Sequence, residues 1–332
     1  MPLQQLAQSP GSLTAMRQDM HSGGNKRSVN ARAMFFPFPA ITASLAPMPD
    51  LPNHGARPPL FDFSASQHAR TRARLLAGDR FLDRIGADGL ADRLGAVTRK
   101  FASGLWIGDE VPAEVAPFAA QWVCADFDEH EILAAGEGRF DVAISLFSLQ
   151  AINDLPGALV QIRRALKPDG LLMAALLGGA TLTELRDSFA HAETATRGGI
   201  SPHVSPFADV RELGGLLQRG GFALPVSDVE RLTVRYGDFL ALVRDLRSHA
   251  LTNVMTERSK KPLRRDTLAA LLAHYAGNHA DPDGKLRARF EILYLTGWSP
   301  HDSQQQPLRP GSAKSRLAEA LGTTESVLPA KS

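Results

Sequence analysis

The sequence predicts an α/β fold: a mostly parallel, twisted sheet with helices on both faces, shortened in its first half. Three observations predict it. Short apolar runs at 105–107 (Leu-Trp-Ile), 122–125 (Trp-Val-Cys-Ala) and 140–147 (FDVAISLF) are closed by turn or polar residues. The third is followed by Leu155, Leu159, Ile162 and Leu166, one stripe at helical spacing, and then by the continuous apolar run 171–177. Strand, helix and strand within about 40 residues form a βαβ unit, which makes the two strands parallel neighbours.

In chain order, residues 1–60 carry Ser, Pro and Gly without sustained periodicity. Before Pro49 the only acid is Asp19, against Arg17, Lys26, Arg27 and Arg32. That composition suits an organelle transit peptide, a disordered tail, or a start codon placed upstream of a true start at Met48. One domain is expected over 61–300. Residues 66–76 (SQHARTRARLL) form a basic helix. Phe81, Ile85, Leu90, Leu94 and Val97 mark a second helix over 81–97, with Asp79 placed to cap it. These two helices are expected to pack on the sheet, with no functional role. Asp154 caps the helix over 155–166, with Pro156 in its first turn, and Lys167-Pro168-Asp169-Gly170 ends it. Downstream, 210–219 is a helix closed by Gly220-Gly221, 230–236 a strand, 239–249 and 267–276 helices, and 290–297 a last strand after the Asp281-Pro282-Asp283-Gly284 turn. Two late strands joined by helices suit an antiparallel edge. Residues 301–332 read as a polar C-terminal tail.

Composition excludes several function classes. The 332 residues are 44% hydrophobic and 22% charged, with net charge +2. Near-balanced charge gives no electrostatic case for nucleic acid. No apolar run reaches the roughly 18 residues of a membrane span. Cys124 is the single cysteine, so neither a disulfide framework nor a cysteine-built metal site is possible within the chain.

Residues 140–179, FDVAISLFSLQAINDLPGALVQIRRALKPDGLLMAALLGG, carry a specific pattern. A strand opening Phe-Asp, a loop, a helix ending Leu-Lys-Pro-Asp-Gly and a buried strand together resemble the second half of the Rossmann-like class I S-adenosylmethionine-dependent methyltransferases. Further motifs narrow the likeness: Gly178-Gly179-Ala180-Thr181-Leu182, Gly198-Gly199-Ile200-Ser201-Pro202-His203-Val204-Ser205-Pro206-Phe207, Arg244-Asp245-Leu246-Arg247, and Gly297-Trp298-Ser299-Pro300-His301. They resemble the subgroup holding the mitochondrial complex I assembly factor with a methyltransferase fold, regarded as an arginine hydroxylase, and its alphaproteobacterial relatives. The resemblance implies S-adenosylmethionine as cofactor and, as partner, the complex I iron–sulfur subunit beside the quinone site. It also implies a bacterial cytoplasmic setting, or the mitochondrial matrix peripheral to the inner membrane. Malonyl-carrier-protein methyltransferases are more distant kin.

In such sheets the cofactor lies at the carboxyl ends of the central strands. The first strand normally ends in a glycine-rich turn, where only glycine lets a ligand approach the backbone. Here Gly108 alone remains, followed by Asp109, Glu110 and Pro112. The interval from Leu105 to Asp141 is also short for three strands and two helices, which would fill about 60 residues. Asp126 follows the second strand, where an acid would hold ribose hydroxyls, lie near an adenine, or simply cap a turn. Gln150 stands where the resemblance implies His-Trp. Gly178 and Gly179 end a strand at the same sheet edge, and Gly108, Asp126, Gln150, Gly178 and Gly179 are the cofactor-binding candidates. Glu184 and Arg186 point to different helix faces, and Arg186 could meet a carboxylate. His203, in a loop expected to overhang the pocket, is the catalytic candidate, because histidine titrates near neutrality. His279-Ala280-Asp281 has ligand-like spacing but falls beside a turn away from the crevice, so no metal site is expected. The sequence holds no P-loop, HExxH or serine-nucleophile elbow. Three functions follow: an active methyltransferase on a small molecule or carrier-bound acid, an arginine-modifying assembly factor, or an assembly protein with an eroded cofactor site.

Overall fold

A computed structural model describes residues 58–76, 78–305 and 322. Residues 1–57 of the tail expected over 1–60, and most of the C-terminal stretch 301–332, lie outside the described residues. In chain order come α1 (Phe63–Leu75), α2 (Phe81–Gly95), β1 (Phe101–Ile107), β2 (Ala119–Ala125), β3 (Phe140–Leu146), α3 (Leu155–Ala165), β4 (Leu166–Leu177), α4 (Thr183–Arg197), α5 (Val210–Arg219), β5 (Ala223–Tyr236), α6 (Phe239–Ser248), α7 (Arg265–His279) and β6 (Leu286–Trp298).

One six-stranded sheet runs in the order β2-β1-β3-β4-β6-β5. β2, β1, β3 and β4 are parallel. β6 is antiparallel to both β4 and β5. β3 and β4 are neighbours joined by α3, the βαβ unit read from the sequence. The first half is indeed abbreviated. Residues 108–118 join β1 to β2 through a single 3-10 turn at Ala116–Phe118, and 126–139 join β2 to β3 without a helix.

Burial on both faces follows from the alternation of each strand. Leu172, Ala174 and Leu176 pack with Leu159 and Ile162 of α3 and Leu213 and Leu217 of α5. Leu171, Met173, Ala175 and Leu177 face the other way, onto Leu90 and Leu94 of α2. A third cluster joins Leu242 and Leu246 of α6 and Tyr275 of α7 to the far ends of β5 and β6, at Val234, Tyr236, Ala288 and Phe290.

Several boundaries differ from the sequence reading for local reasons. Asp79 does not cap α2: Arg80 holds the N-cap position without a side-chain bond to the helix backbone, and Asp79 accepts from Arg84 at 3.0 Å. The orphan N–H of Leu82 is instead satisfied by His249 Nε2 at 3.2 Å, a partner from beyond α6. β5 starts at Ala223, not near 230, because an edge strand tolerates Pro225 where its register shifts between Ala223 and Val226. The 167–170 turn sits inside the start of β4, with Asp169 at φ 60°, where pairing with β3 jumps from Phe140↔Leu166 to Val142↔Leu171. Asp154 caps α3 by accepting from Gly157 N. No helix of the described residues is long and apolar enough to cross a membrane.

Candidate functional site

The carboxyl ends of β1 and β3 open into a cleft of about 750 Å³, within the 300–1,000 Å³ or so typical of small-molecule sites. Its floor is Trp106 and Gly108 at the end of β1 and Phe147, Ser148 and Gln150 after β3. Gly108 has φ 144°, and a Cβ there would lie 3.0 Å from Trp106 Nε1. Phe147 has φ 55°, a conformation costly for a bulky side chain and most often retained where a site depends on it. Its N–H donates to Ala175 O at 2.9 Å, so the strained residue is pinned to β4.

Helix α1 forms the roof. Asp62 caps it, and Asp62 N donates to Val254 O at 2.8 Å while Arg258 pairs with the Asp62 carboxylate at 3.0 Å. Asn153 accepts from Phe61 N at 2.8 Å, tying the same segment to the start of α3. Arg70 and Arg74 of α1 line the cleft. Arg70 forms an ion pair with Asp126 and donates to Ser148 O at 3.3 Å. Arg74 pairs with Asp109. Glu110, also in the lining, makes no ion pair among the described residues. Burial, with the charges of Asp109 and Glu110, pushes the Cys124 thiol up, so Cys124 is not an activated nucleophile. His249 closes one wall, with Nε2 facing Leu82 N and Nδ1 2.8 Å from Asp245 O. Both nitrogens are engaged, which fixes the ring and leaves no lone pair for proton transfer.

The residues singled out in the sequence are distributed unevenly. Gly108 and Gln150 line the cleft. Gln150 also accepts from Leu177 N at 3.4 Å, joining the floor to β4. Asp126 stands beside it at the end of β2, one carboxylate oxygen on Arg70 and the other accepting from Phe127 N at 2.9 Å. Gly178 lies elsewhere: a Cβ there would meet Glu291 Oε2 at 2.5 Å and Leu293 at 2.9 Å, so the glycine allows strand β6 to pack. Gly179 lines a separate cavity of about 370 Å³ with Arg186, Pro202, Val204 and Phe207. Phe207 borders both spaces.

His203 turns away from the main cleft. Its ring stacks on Phe189 at 3.9 Å, and Nε2 is 2.9 Å from Glu193 Oε1. Glu193 is fully buried and also receives Ser201 N–H at 2.5 Å, Ser201 Oγ at 2.7 Å and Arg197 at 2.8 Å. Burial opposes its ionisation, but the bonds from His203 and Ser201 outweigh that and hold the carboxyl down at about 2. This cluster anchors the loop after α4, whose Ser205 and Phe207 reach the cleft. Arg70, Arg74, Phe147 and His249 were not foreseen. The arginine-rich run of α1 was the signal available for the first two; the backbone strain of Phe147 and the long-range contact of His249 leave none.

The arrangement can enclose a small molecule carrying both charges, with arginines above and acids beside a glycine that permits close backbone approach. It contains no nucleophile–base pair among the described residues.

A family model described as a methyltransferase domain matches residues 51–225, just over half of the chain. The mitochondrial arginine-hydroxylase NDUFAF5 of Danio rerio is 44% identical over 200 residues, covering 60% of this chain and 61% of that protein. Its Homo sapiens counterpart is 41% identical over 201 residues, covering 60% and 58%. A malonyl-[acyl-carrier protein] O-methyltransferase of Laribacter hongkongensis is 35% identical over 189 residues, covering 57% and 60%. In each case the match takes in less than two thirds of the relative's length. With its parallel βαβ core, its cleft at the strand ends and this match, the chain belongs to the methyltransferase-domain family.

Proposed function

We propose that this chain binds S-adenosylmethionine in the main cleft and acts on an arginine of a protein client; the relatives it resembles are named arginine-hydroxylases. The observation that carries the reading is the composition of the cleft in a chain so similar to them. Asp109 and Glu110 follow the one glycine at the end of β1, and acids at a cleft mouth suit a guanidinium. The fit to the cofactor is one of size and charge. Gly108 would allow close approach, Gln150 and Asp126 would offer acceptors, and Arg70 and Arg74 would face a carboxylate. When bound, S-adenosylmethionine supplies an electrophilic methyl group; the chain's own part is to orient it and exclude water. By resemblance the client is the complex I iron–sulfur subunit beside the quinone site, and the mitochondrial relatives favour a matrix setting.

Co-expression of that subunit with wild-type chain, followed by peptide mass spectrometry, tests this. An arginine carrying one extra methyl group, or one extra oxygen taken from dioxygen with a two-electron reductant supplied by the cell, lost with Glu110→Gln and Asp109→Asn, is expected. An unmodified subunit would remove the reading. The Arg70–Asp126 ion pair favours a second reading, an assembly protein whose acid is neutralised internally. Stable capture of an unmodified client would select it.

A further inference from the structure

Away from the cleft, α4 and α7 pack against each other and gather three side chains with no part in the site described above. Asp187 lies on α4; His274 and His279 lie on α7. One ligand-type atom from each lies within 4.8 Å of the other two. His279 Nε2 is 2.9 Å from Asp187 Oδ2, and the two histidine rings meet edge-on with centroids 5.8 Å apart. The pairing suggested by sequence spacing, His279 with Asp281, is not the one formed. Asp281 is taken by Arg235 at 2.6 Å and Arg287 at 3.4 Å.

We propose that Asp187, His274 and His279 form a binding site for one divalent first-row transition metal ion of the zinc class, bridging α4 to α7. Two imidazoles and a carboxylate are the ligand set such ions select, whereas calcium and magnesium require oxygen ligands throughout. Metal–ligand bonds of about 2.0–2.1 Å at tetrahedral angles place ligand atoms roughly 3.3 Å apart. The 2.9 Å contact and the 4.8 Å envelope bracket that spacing.

The surroundings are built to hold the rings. Buried Ser188 places its Oγ 3.1 Å from His274 Nδ1. An outer hydrogen bond on one ring nitrogen fixes the tautomer and turns the other toward a metal. His191, one helical turn after Asp187, stacks on His274 at 4.2 Å and sets the plane of its ring. His274 and His279 are half-buried and Asp187 is exposed, so an ion could enter from solvent. Three protein ligands leave a further position for water.

The ordinary alternative is a surface His–Asp ion pair with two bystander histidines, and titration separates the two. Untagged full-length chain, stripped with chelator, is titrated with zinc chloride by calorimetry and with cobalt(II) chloride by visible absorption. The site predicts one equivalent bound, a cobalt d–d band of low-symmetry type, and a melting temperature raised by zinc. Asp187→Asn, which preserves shape, and the His274→Ala/His279→Ala pair are each expected to weaken binding at least about tenfold and to abolish the thermal shift. His191→Ala retains one equivalent. No stoichiometric binding by the wild type, or binding unchanged in both ligand variants, would overturn the site.

Discussion

Asp141 and Lys167, 26 residues apart, meet at 2.9 Å where β3 and β4 begin. The other Asp141 oxygen accepts from Ala102 N at 3.1 Å and from Ser103 N and Oγ at 2.8 and 2.9 Å. One carboxylate thus ties three adjacent parallel strands together at the edge of the sheet opposite the cleft. The Phe-Asp and Leu-Lys-Pro-Asp-Gly motifs that carry the family resemblance are, at these two residues, a fold-holding device.

Removing the acid should therefore cost more than removing its cation. Asp141→Ala strands two backbone N–H groups, and urea denaturation should show a loss of about 2–3 kcal/mol. Lys167→Met, at a side chain 39% exposed, should lose under about 1 kcal/mol. Burial alone would raise the Asp141 carboxyl; Lys167 and Ser103 hold it below its ordinary value.

The Glu193 cluster should dominate acid sensitivity. Its folded value of about 2 lies below the ordinary 4.5. The stabilisation is thus complete above about pH 5 and is lost as pH falls from 4.5 toward 2, on the order of 3 kcal/mol in total. His203→Ala raises the folded value, so its melting temperature should trail the wild type most at neutral pH, and the two curves should converge near pH 2. Parallel curves across that window would contradict the role given to His203.

Much of the fold was legible because periodicity reports burial. The stripe of α3, the run of β4 and the antiparallel edge all follow from which residues must face a core. The site was less legible because its decisive contacts are non-local. Arg70 reaches Asp126 and Ser148 across the cleft, and nothing near residue 70 announces them. Gly178 illustrates the converse: a strand-end glycine that looks like a ligand cradle makes room for Glu291.

Gly178→Ala should accordingly act on stability. A Cβ 2.5 Å from Glu291 Oε2 and 2.9 Å from the Leu293 side chain forces those two side chains to shift, at a cost of about 1–3 kcal/mol. Ligand affinity per folded molecule should be unchanged, as read by calorimetry normalised to active sites.

The two roof arginines should separate in the same way. The Arg70–Asp126 pair is 23% and 24% exposed, against 51% and 60% for Arg74–Asp109. Arg70→Ala should lower stability by about 1–2 kcal/mol, and Arg74→Ala by less than about 0.5 kcal/mol. Equal losses in urea melts would show that exposure does not govern the roof.

The most direct measurement is a calorimetric titration of S-adenosylmethionine into the wild-type chain and into Gly108→Val. The φ of 144° and the 3.0 Å approach to Trp106 Nε1 leave no space for a β-branched side chain at that position. Saturable binding by the wild type, lost in Gly108→Val while the melting curve stays cooperative, is the predicted result. No heat of binding in the wild type, or equal affinity in both proteins, would contradict a cofactor site at the end of β1.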